Sequence, residues 1–159
     1  FQDALASLNP VFTVGNQITE AIRAHTQKDK KQARDTAVQM IRRVGLPDPE
    51  GMMRKYSFEL SGGQRQRVCI AMSLACSPRL LIADEITTAL DVTIQSQIMR
   101  MIEAIRVDMG MSMILITHDI GLIAEMSDRV AVMYAGQIIE QADVFTLFAH
   151  PRHPYTRHR

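Results

Sequence analysis

The segment Leu60-Ser61-Gly62-Gly63-Gln64-Arg65-Gln66-Arg67 decides the fold class of this chain, together with the later run Leu80-Leu81-Ile82-Ala83-Asp84-Glu85. Ser61 is a suitable N-cap for a helix that begins at the two glycines. The later run is short and continuously apolar, as in a buried strand of a parallel sheet, and it ends in two acids. Helix N-termini bind anions, and ligands of α/β proteins bind at the carboxyl ends of strands. The start of the helix therefore suits an anionic group, and the end of the strand is a place where a ligand binds.

The flanking sequence predicts further helices and strands. Apolar residues recur every three or four positions from Gly15 to Val44, with a polar break from His25 to Lys31, which indicates two amphipathic helices. Two prolines in the segment 45–49 end this helical region. The other predicted elements are a helix over 62–75, a buried strand over 80–83, a helix that Asp91 caps and that ends before Gly110, a buried strand over 112–117, a helix over 119–126, and a hairpin of 129–134 with 137–140. This order predicts an α/β core with parallel strands.

The composition fits one globular domain with a sizeable core, since the 159 residues are 47% apolar. The formal net charge is +1, with basic and acidic residues interspersed, which gives no support for a nucleic-acid partner. No apolar run reaches the roughly 18–20 residues of a membrane-spanning helix. Cys69 and Cys76, predicted to lie on one helix, are expected to be buried free thiols in a reducing compartment.

The two opening motifs resemble the signature helix and the Walker B strand of ATP-binding cassette (ABC) ATPases. The chain is similar over essentially its whole length to the ATPase subunits of bacterial dipeptide, oligopeptide and glutathione importers. The segments that carry this likeness are 7–15, 82–85, 87–93, 150–151 and 153–156. The resemblance implies an α/β P-loop NTPase core that lacks its N-terminal β subdomain and contains an inserted α-helical subdomain. It divides the chain into a Q-loop and permease-facing segment (1–15), a helical subdomain with the signature motif (16–76) and the C-terminal part of the ATPase core (77–159).

The resemblance also implies ATP and Mg²⁺ as cofactors and assigns roles in hydrolysis. Asp84 would orient Mg²⁺, Glu85 would be the general base for the attacking water, and His118 would be the switch histidine at the terminal phosphate. Gln2 matches the glutamine that contacts both Mg²⁺ and the attacking water. Such roles suit phosphoryl transfer, because that reaction asks the protein mainly for positioning and charge neutralisation.

By the same resemblance, the signature segment would serve ATP bound to a second ATPase subunit in a head-to-tail dimer. Ser61 Oγ and the N–H groups of Gly62 and Gly63, with Gln64 in the same turn, would bind the terminal phosphate. Asp91, at the end of the segment 87–91, matches the loop that links the two nucleotide sites.

The implied partners are transmembrane permease subunits, a second ABC ATPase subunit and, indirectly, an external substrate-binding protein. The segment 3–14 would touch the permease. The implied location is the cytoplasmic face of the inner membrane, with peripheral attachment.

The chain departs from the family pattern at several places. It contains no Gly-Lys pair, and therefore no phosphate loop. We accordingly interpret it as a fragment and expect it to hydrolyse no ATP by itself. Ile86 and Ala4 stand where the family usually has proline, and Ser57-Phe58 replace a usual Pro-His.

Two other functions remain open at the level of sequence. A non-catalytic remnant or regulatory paralogue is favoured slightly by Ile86, Ala4 and Ser57, whereas Glu85 and His118 argue against it. An ABC ATPase of DNA repair is the other alternative, which the permease-facing segment and the near-zero net charge oppose.

Overall fold

The computed structural model describes residues 8–86 and 91–158 of the chain. These residues form two compact units, which divide between Ile114 and Leu115. Gln2, Ala4 and the segment 87–90 lie outside the described residues. Within the described ranges, no helix is both long and apolar enough to cross a membrane. The three-part division over 1–15, 16–76 and 77–159 stays a prediction.

The first unit is mainly helical. Its elements are α1 (Val14–His25), α2 (Lys30–Arg43), α3 (Pro49–Met52), a 3₁₀ turn (Ser57–Glu59), α4 (Gly62–Leu74), β1 (Leu80–Asp84), α5 (Val92–Met109) and β2 (Ser112–Ile116), of which β2 crosses the boundary between the units. Strands β1 and β2 are neighbours in a two-stranded sheet.

Polar side chains cap the helices of this unit. Ser61 and Asp91 accept hydrogen bonds from backbone N–H groups in the first turns of α4 and α5, as the sequence predicts. Asp29 caps α2 in the same way, and Gln32 returns the bond to complete a capping box. Helix α2 ends at Arg43, before the prolines, and Gly45 follows it with φ of 70°. Pro49 begins α3, because the first turn of a helix tolerates proline.

The apolar positions that predict the helices form the core of the first unit. Ile18 and Ile22 of α1, Ile41 of α2 and Ile98 and Ile102 of α5 are fully buried. Packing of these stripes, more than helix propensity, stabilises such helices. The helical predictions for 15–44, 62–75 and the region after Asp91 are therefore confirmed.

The two cysteines are free thiols, as predicted. Cys69 is buried in α4, whereas Cys76 is only partly buried. The prediction that both lie on one helix is wrong, because α4 ends at Leu74. The chain turns there, and Ser77 adopts a left-handed backbone with φ of 51°.

Both predicted apolar strands form, but the prediction that they are buried is wrong for this chain. In β1, Leu80 and Ile82 are 46% and 56% exposed, and only Ala83 is buried. In β2, Ile114 and Ile116 are 49% and 47% exposed. The physical reason is that the described residues cover only part of these strands, whereas a parallel sheet needs cover on both faces. The parallel direction of the pair stays a prediction.

The second unit is a hairpin packed on short helices. Its elements are α6 (Ile120–Met126), β3 (Arg129–Tyr134), β4 (Gln137–Asp143), α7 (Val144–Ala149) and α8 (Pro154–Arg157). Strands β3 and β4 pair antiparallel from Arg129 with Asp143 to Tyr134 with Gln137, with a register shift after Val132. Val130, Val144 and Leu147 form its core. The hairpin is confirmed, although β4 runs beyond the predicted end at residue 140.

Candidate functional site

The N-terminus of α4 presents polar groups at the start of a thirteen-residue helix. Ser61 Oγ accepts a hydrogen bond from the N–H of Gln64 (3.3 Å), and Gln64 Oε1 accepts one from the N–H of Ser61 (3.1 Å). This capping box fixes the turn and still leaves the proton of the Ser61 hydroxyl to donate. Within the described ranges, no acceptor lies on the N–H groups of Gly62 and Gly63. Three donors therefore surround the positive end of the helix dipole, as a terminal phosphate requires.

Gly63 also lies close to α5. A Cβ added to Gly63 would come within 3.2 Å of Cγ2 of Ile94, in the first turn of α5. The N-termini of α4 and α5 therefore approach each other, and Asp91 caps the second of them through the N–H of Ile94 (2.9 Å). The predicted site residues Ser61, Gly63 and Asp91 are thus brought into one region of the first unit.

The acidic pair lies at the end of β1. Asp84 is the last residue of the strand and is partly buried, and Glu85 follows it on the surface. Glu85 has φ of 46°, in the left-handed region that a residue with a side chain adopts only at a cost. Such strain occurs where the surrounding structure fixes a residue in an unusual direction, and it is frequent at functional sites.

The carboxylates of Asp84 and Glu85 can be compared with the ligands that a magnesium ion usually has in proteins. Residues 8–86 and 91–158 contain no cluster of three or more His, Cys, Asp or Glu side chains that could hold a metal ion alone. Mg²⁺ is commonly bound by one or two carboxylates, with water and substrate phosphates supplying the other oxygens. Asp84 and Glu85 fit that kind of site, and they would hold Mg²⁺ only together with a nucleotide.

His118 belongs to the second unit and lies two residues beyond the end of β2. Its side chain is exposed. The next residue, Asp119, caps α6 through the N–H of Leu122 (3.2 Å), so that a short polar turn holds His118 between a strand and a helix. Of the remaining predicted site residues, Gln2 lies outside the described residues. The same holds for 87–90, so that only Asp91 of the linking segment is described.

Sequence reasoning missed three features that the structure shows. The rings of Tyr56 and Phe58 stack with centroids 5.4 Å apart, although Phe58 is 68% exposed. Glu140 accepts backbone hydrogen bonds from Arg152 and His153. Arg67 of α4 binds the end of α2. The only sequence signal for Arg67 was its place in the signature motif, because its partner is a carbonyl oxygen, which no side-chain pattern reveals.

Comparisons with known proteins show the family to which the chain is similar. A family model described as ABC transporter matches residues 1–88. A probable peptide ABC transporter ATP-binding protein, y4tR of Sinorhizobium fredii, is 56% identical over 99% of this chain and 47% of its own length. The dipeptide transport ATP-binding protein DppD of Haemophilus influenzae is 52% identical over 99% of this chain and 48% of its own length. For the glutathione import ATP-binding protein GsiA of Shigella flexneri, the identity is 52% over 99% of this chain and 25% of that protein. The chain spans about half the length of the first two relatives.

Two solved structures share the fold. One is cbiO1 of Clostridium perfringens, a part of the ABC transporter complex cbiONQ, with a TM-score of 0.81 and 30% identity over 94% of this chain and 58% of that chain. The other is the ATP-binding cassette MJ0796, a dimer in a post-hydrolysis state bound to ADP and Pi. Its TM-score is 0.77, with 25% identity over 91% of this chain and 61% of that chain. The predicted fold class is therefore confirmed.

Proposed function

The chain belongs to the ABC transporter family, and we propose that it forms part of the ATP-hydrolysing subunit of a bacterial importer for peptides. The observation that carries this proposal is the high identity, over nearly the whole chain, to three proteins named for peptide, dipeptide and glutathione transport. The geometry supports it, because the N-terminus of α4 offers hydrogen-bond donors for a phosphate and the end of β1 offers carboxylates for Mg²⁺. ATP and Mg²⁺ are the proposed cofactors.

In this proposal the acidic pair and the histidine act on the terminal phosphate. Glu85 would accept a proton from the attacking water, His118 would contact the terminal phosphate, and Asp84 would help to hold Mg²⁺. Mg²⁺ supplies charge neutralisation at the phosphates when it is bound. Gln2 would contact the same ion. The left-handed backbone of Glu85 supports this role, because backbone strain of this kind is frequent at functional sites.

The signature segment would serve the nucleotide of a second ATPase subunit. Ser61 and Gly62 are exposed, and Gly63 and Gln64 are partly exposed, so that this helix end is accessible to a ligand. The neighbouring Asp91 would relay the state of one nucleotide site to the other. The dimeric ATP-binding cassette among the solved structures supports a paired assembly. The second subunit would be another copy or a relative.

An exposed apolar patch supports contact with transmembrane permease subunits. It consists of Val11 (74% exposed), Phe12 (48%), Tyr56 (37%) and Phe58 (68%). An isolated bridge between Thr13 and Tyr56 joins its two segments. Contiguous apolar surface of this kind is typical of protein contacts. Permease binding would place the subunit at the cytoplasmic face of the inner membrane, and an external binding protein would act through the permease.

The test uses the complete transporter, reconstituted in lipid vesicles with the full-length ATPase subunit, a dipeptide and the binding protein. We expect ATP hydrolysis that the peptide stimulates. Glu85→Gln should lower kcat by about 100-fold or more, as for loss of a general base, with ATP binding retained. Glu125→Gln, at an exposed position of α6, is the matched control and should hydrolyse ATP like the wild type.

Other outcomes would point to the alternatives. A wild-type assembly without ATP hydrolysis would favour a non-catalytic remnant, and stimulation by DNA instead of peptide would favour a repair ATPase. The 159-residue chain by itself should hydrolyse no ATP, because it contains no Gly-Lys pair for a phosphate loop.

A further inference from the structure

Arg67 joins the signature helix to the end of another helix. Its Nη1 donates a hydrogen bond to the carbonyl oxygen of Val44 (2.7 Å) and lies 3.2 Å from Sδ of Met101. Val44 is the C-cap of α2, and Met101 lies in α5. A cation at a helix C-terminus binds a carbonyl that lacks an intrahelical partner, and it also interacts favourably with the helix dipole. One side chain of α4 therefore contacts both α2 and α5.

Gly45 leaves the room that this contact needs. It follows α2 with φ of +70°, and a Cβ added to it would lie 3.2 Å from Nη1 of Arg67. Gly110 ends α5 with a similar φ of +61°, but a Cβ added there would meet nothing within 4 Å. Both glycines therefore have a positive φ that disfavours other residues. Only at Gly45 would an added Cβ also crowd the side chain of Arg67.

The guanidinium lies close to the site end of α4. Arg67 is four residues beyond Gly63, which is about 6 Å along a helix. Gly63 approaches Ile94 of α5 at the N-terminus of α4, and Arg67 contacts α2 and α5 one turn further along. These contacts at two successive turns hold α4 against the neighbouring helices. The ion pair between Arg43 and Asp108 (3.2 Å) also joins α2 to α5. That pair is exposed and contributes little, so that it does not replace Arg67 as a polar contact among these three helices.

We propose that Arg67 is a positioning residue, which fixes the direction of α4 against α2 and α5 and thereby aims the N–H groups of Gly62 and Gly63 at the phosphate. This inference rests on the proposed function of the signature segment. Arg67 acts through the helix and does not touch the nucleotide. A displacement of about 1 Å in a catalytic arrangement can cost about 100-fold in rate. The subunit's affinity for its own nucleotide does not depend on α4, since the segment serves the other subunit's nucleotide.

The first experiment compares kcat with nucleotide affinity in the complete transporter. Arg67→Gln should lower kcat by about 10- to 100-fold, while ATP binding by the separate full-length subunit stays within about two-fold of wild type. Arg67→Lys keeps the charge and should retain more activity than Arg67→Gln. The matched control is Arg42→Gln, at an exposed position in the last turn of α2, which should leave kcat unchanged.

The two glycines supply a second comparison. Gly45→Ala and Gly110→Ala introduce the same backbone strain, but only Gly45→Ala should lower kcat. In the Arg67→Gln background, Gly45→Ala should have no further effect on kcat, because both changes disturb the same contact. Independent, additive effects of the two substitutions would contradict the proposal.

A distance measurement separates this inference from the proposed function. Spin labels at Gln39 of α2 and Ser73 of α4 report the distance between these two helices in the full-length subunit. The labels are introduced as unnatural amino acids because Cys69 and Cys76 form no disulfide and would react with thiol-directed labels. Arg67→Gln should broaden or shift the distance distribution. An unchanged distribution, or unchanged kcat in an active transporter, would overturn the role of Arg67. Absence of hydrolysis by the wild type would instead count against the proposed function and leave the distance result to decide.

Discussion

At the scale of single residues, Glu85 combines a proposed catalytic role with a strained backbone. Its φ of 46° costs a residue with a Cβ about 1–2 kcal/mol, and glycine avoids that cost. Glycine also gains about 0.4–1 kcal/mol of freedom in the unfolded chain, which partly offsets the relief. We therefore expect Glu85→Gly to be more stable than Glu85→Ala by about 0.5–1 kcal/mol in thermal unfolding of the full-length subunit.

The neighbouring residue is the control for that comparison. Asp84 lies in β1, so that Asp84→Gly should be less stable than Asp84→Ala. If the glycine variant were less stable than the alanine variant at both positions, the backbone of Glu85 would not be strained in solution. Because each pair removes the same carboxylate, the comparison does not depend on the contacts that the acids make.

At the scale of elements, the hairpin turn carries a residue that its geometry disfavours. Ala135 and Gly136 connect β3 to β4 with φ of 48° and 78°. A two-residue turn with positive φ at both positions prefers Asn-Gly. We expect Ala135→Asn to raise the stability of the second unit by about 0.5–1 kcal/mol, measured as a higher midpoint of thermal unfolding. Ala131→Asn, at an exposed position in β3, should destabilise the hairpin instead.

The tail of the second unit depends on one carboxylate. Glu140 accepts hydrogen bonds from the N–H groups of Arg152 (2.7 Å) and His153 (3.0 Å), which lower the pKa of this carboxyl below its usual 4.5. Because the pKa of Glu140 is lower in the folded than in the unfolded chain, its ionised carboxylate stabilises the segment 152–153 above pH 4.5. This contribution is lost as the pH falls through the pKa of the folded state. The protection factors of the Arg152 and His153 amides, which compare the observed exchange with the intrinsic rate at each pH, should therefore fall at acidic pH. Glu140→Gln should lower these protection factors already at pH 7 and abolish their pH dependence, whereas Glu125→Gln should change neither.

Sequence reasoning predicted the elements better than their surroundings. The spacing of Ile18, Ile22 and Ile41 and the caps at Ser61 and Asp91 predict helices correctly, because period and capping are local properties. The burial of β1 was not predictable, since it depends on which other segments cover the strand. The direction of Glu85 was not predictable either, because its left-handed backbone is imposed by the surrounding fold on a residue that does not favour it.

At the scale of the whole molecule, the apolar strands expose surface that a stable monomer would cover. Leu80 and Ile82 of β1 and Ile114 and Ile116 of β2 are each close to half exposed. The relatives y4tR and DppD are about twice as long as this chain, and their additional length offers cover for such faces. Uncovered apolar surface and open strand edges favour association between molecules.

We therefore expect the 159-residue chain by itself to self-associate, with a sedimentation coefficient that rises with concentration, whereas the full-length subunit without nucleotide should sediment independently of concentration. Ile82→Thr together with Ile116→Thr should reduce the association of the short chain, because threonine keeps the β-branched shape of a strand residue and lowers its apolar area. The same pair should destabilise the full-length subunit, in which these side chains would be buried. Association that persists in the double variant would show that another surface mediates it. The next residues to substitute would then be those of the exposed apolar patch, Val11, Phe12, Tyr56 and Phe58.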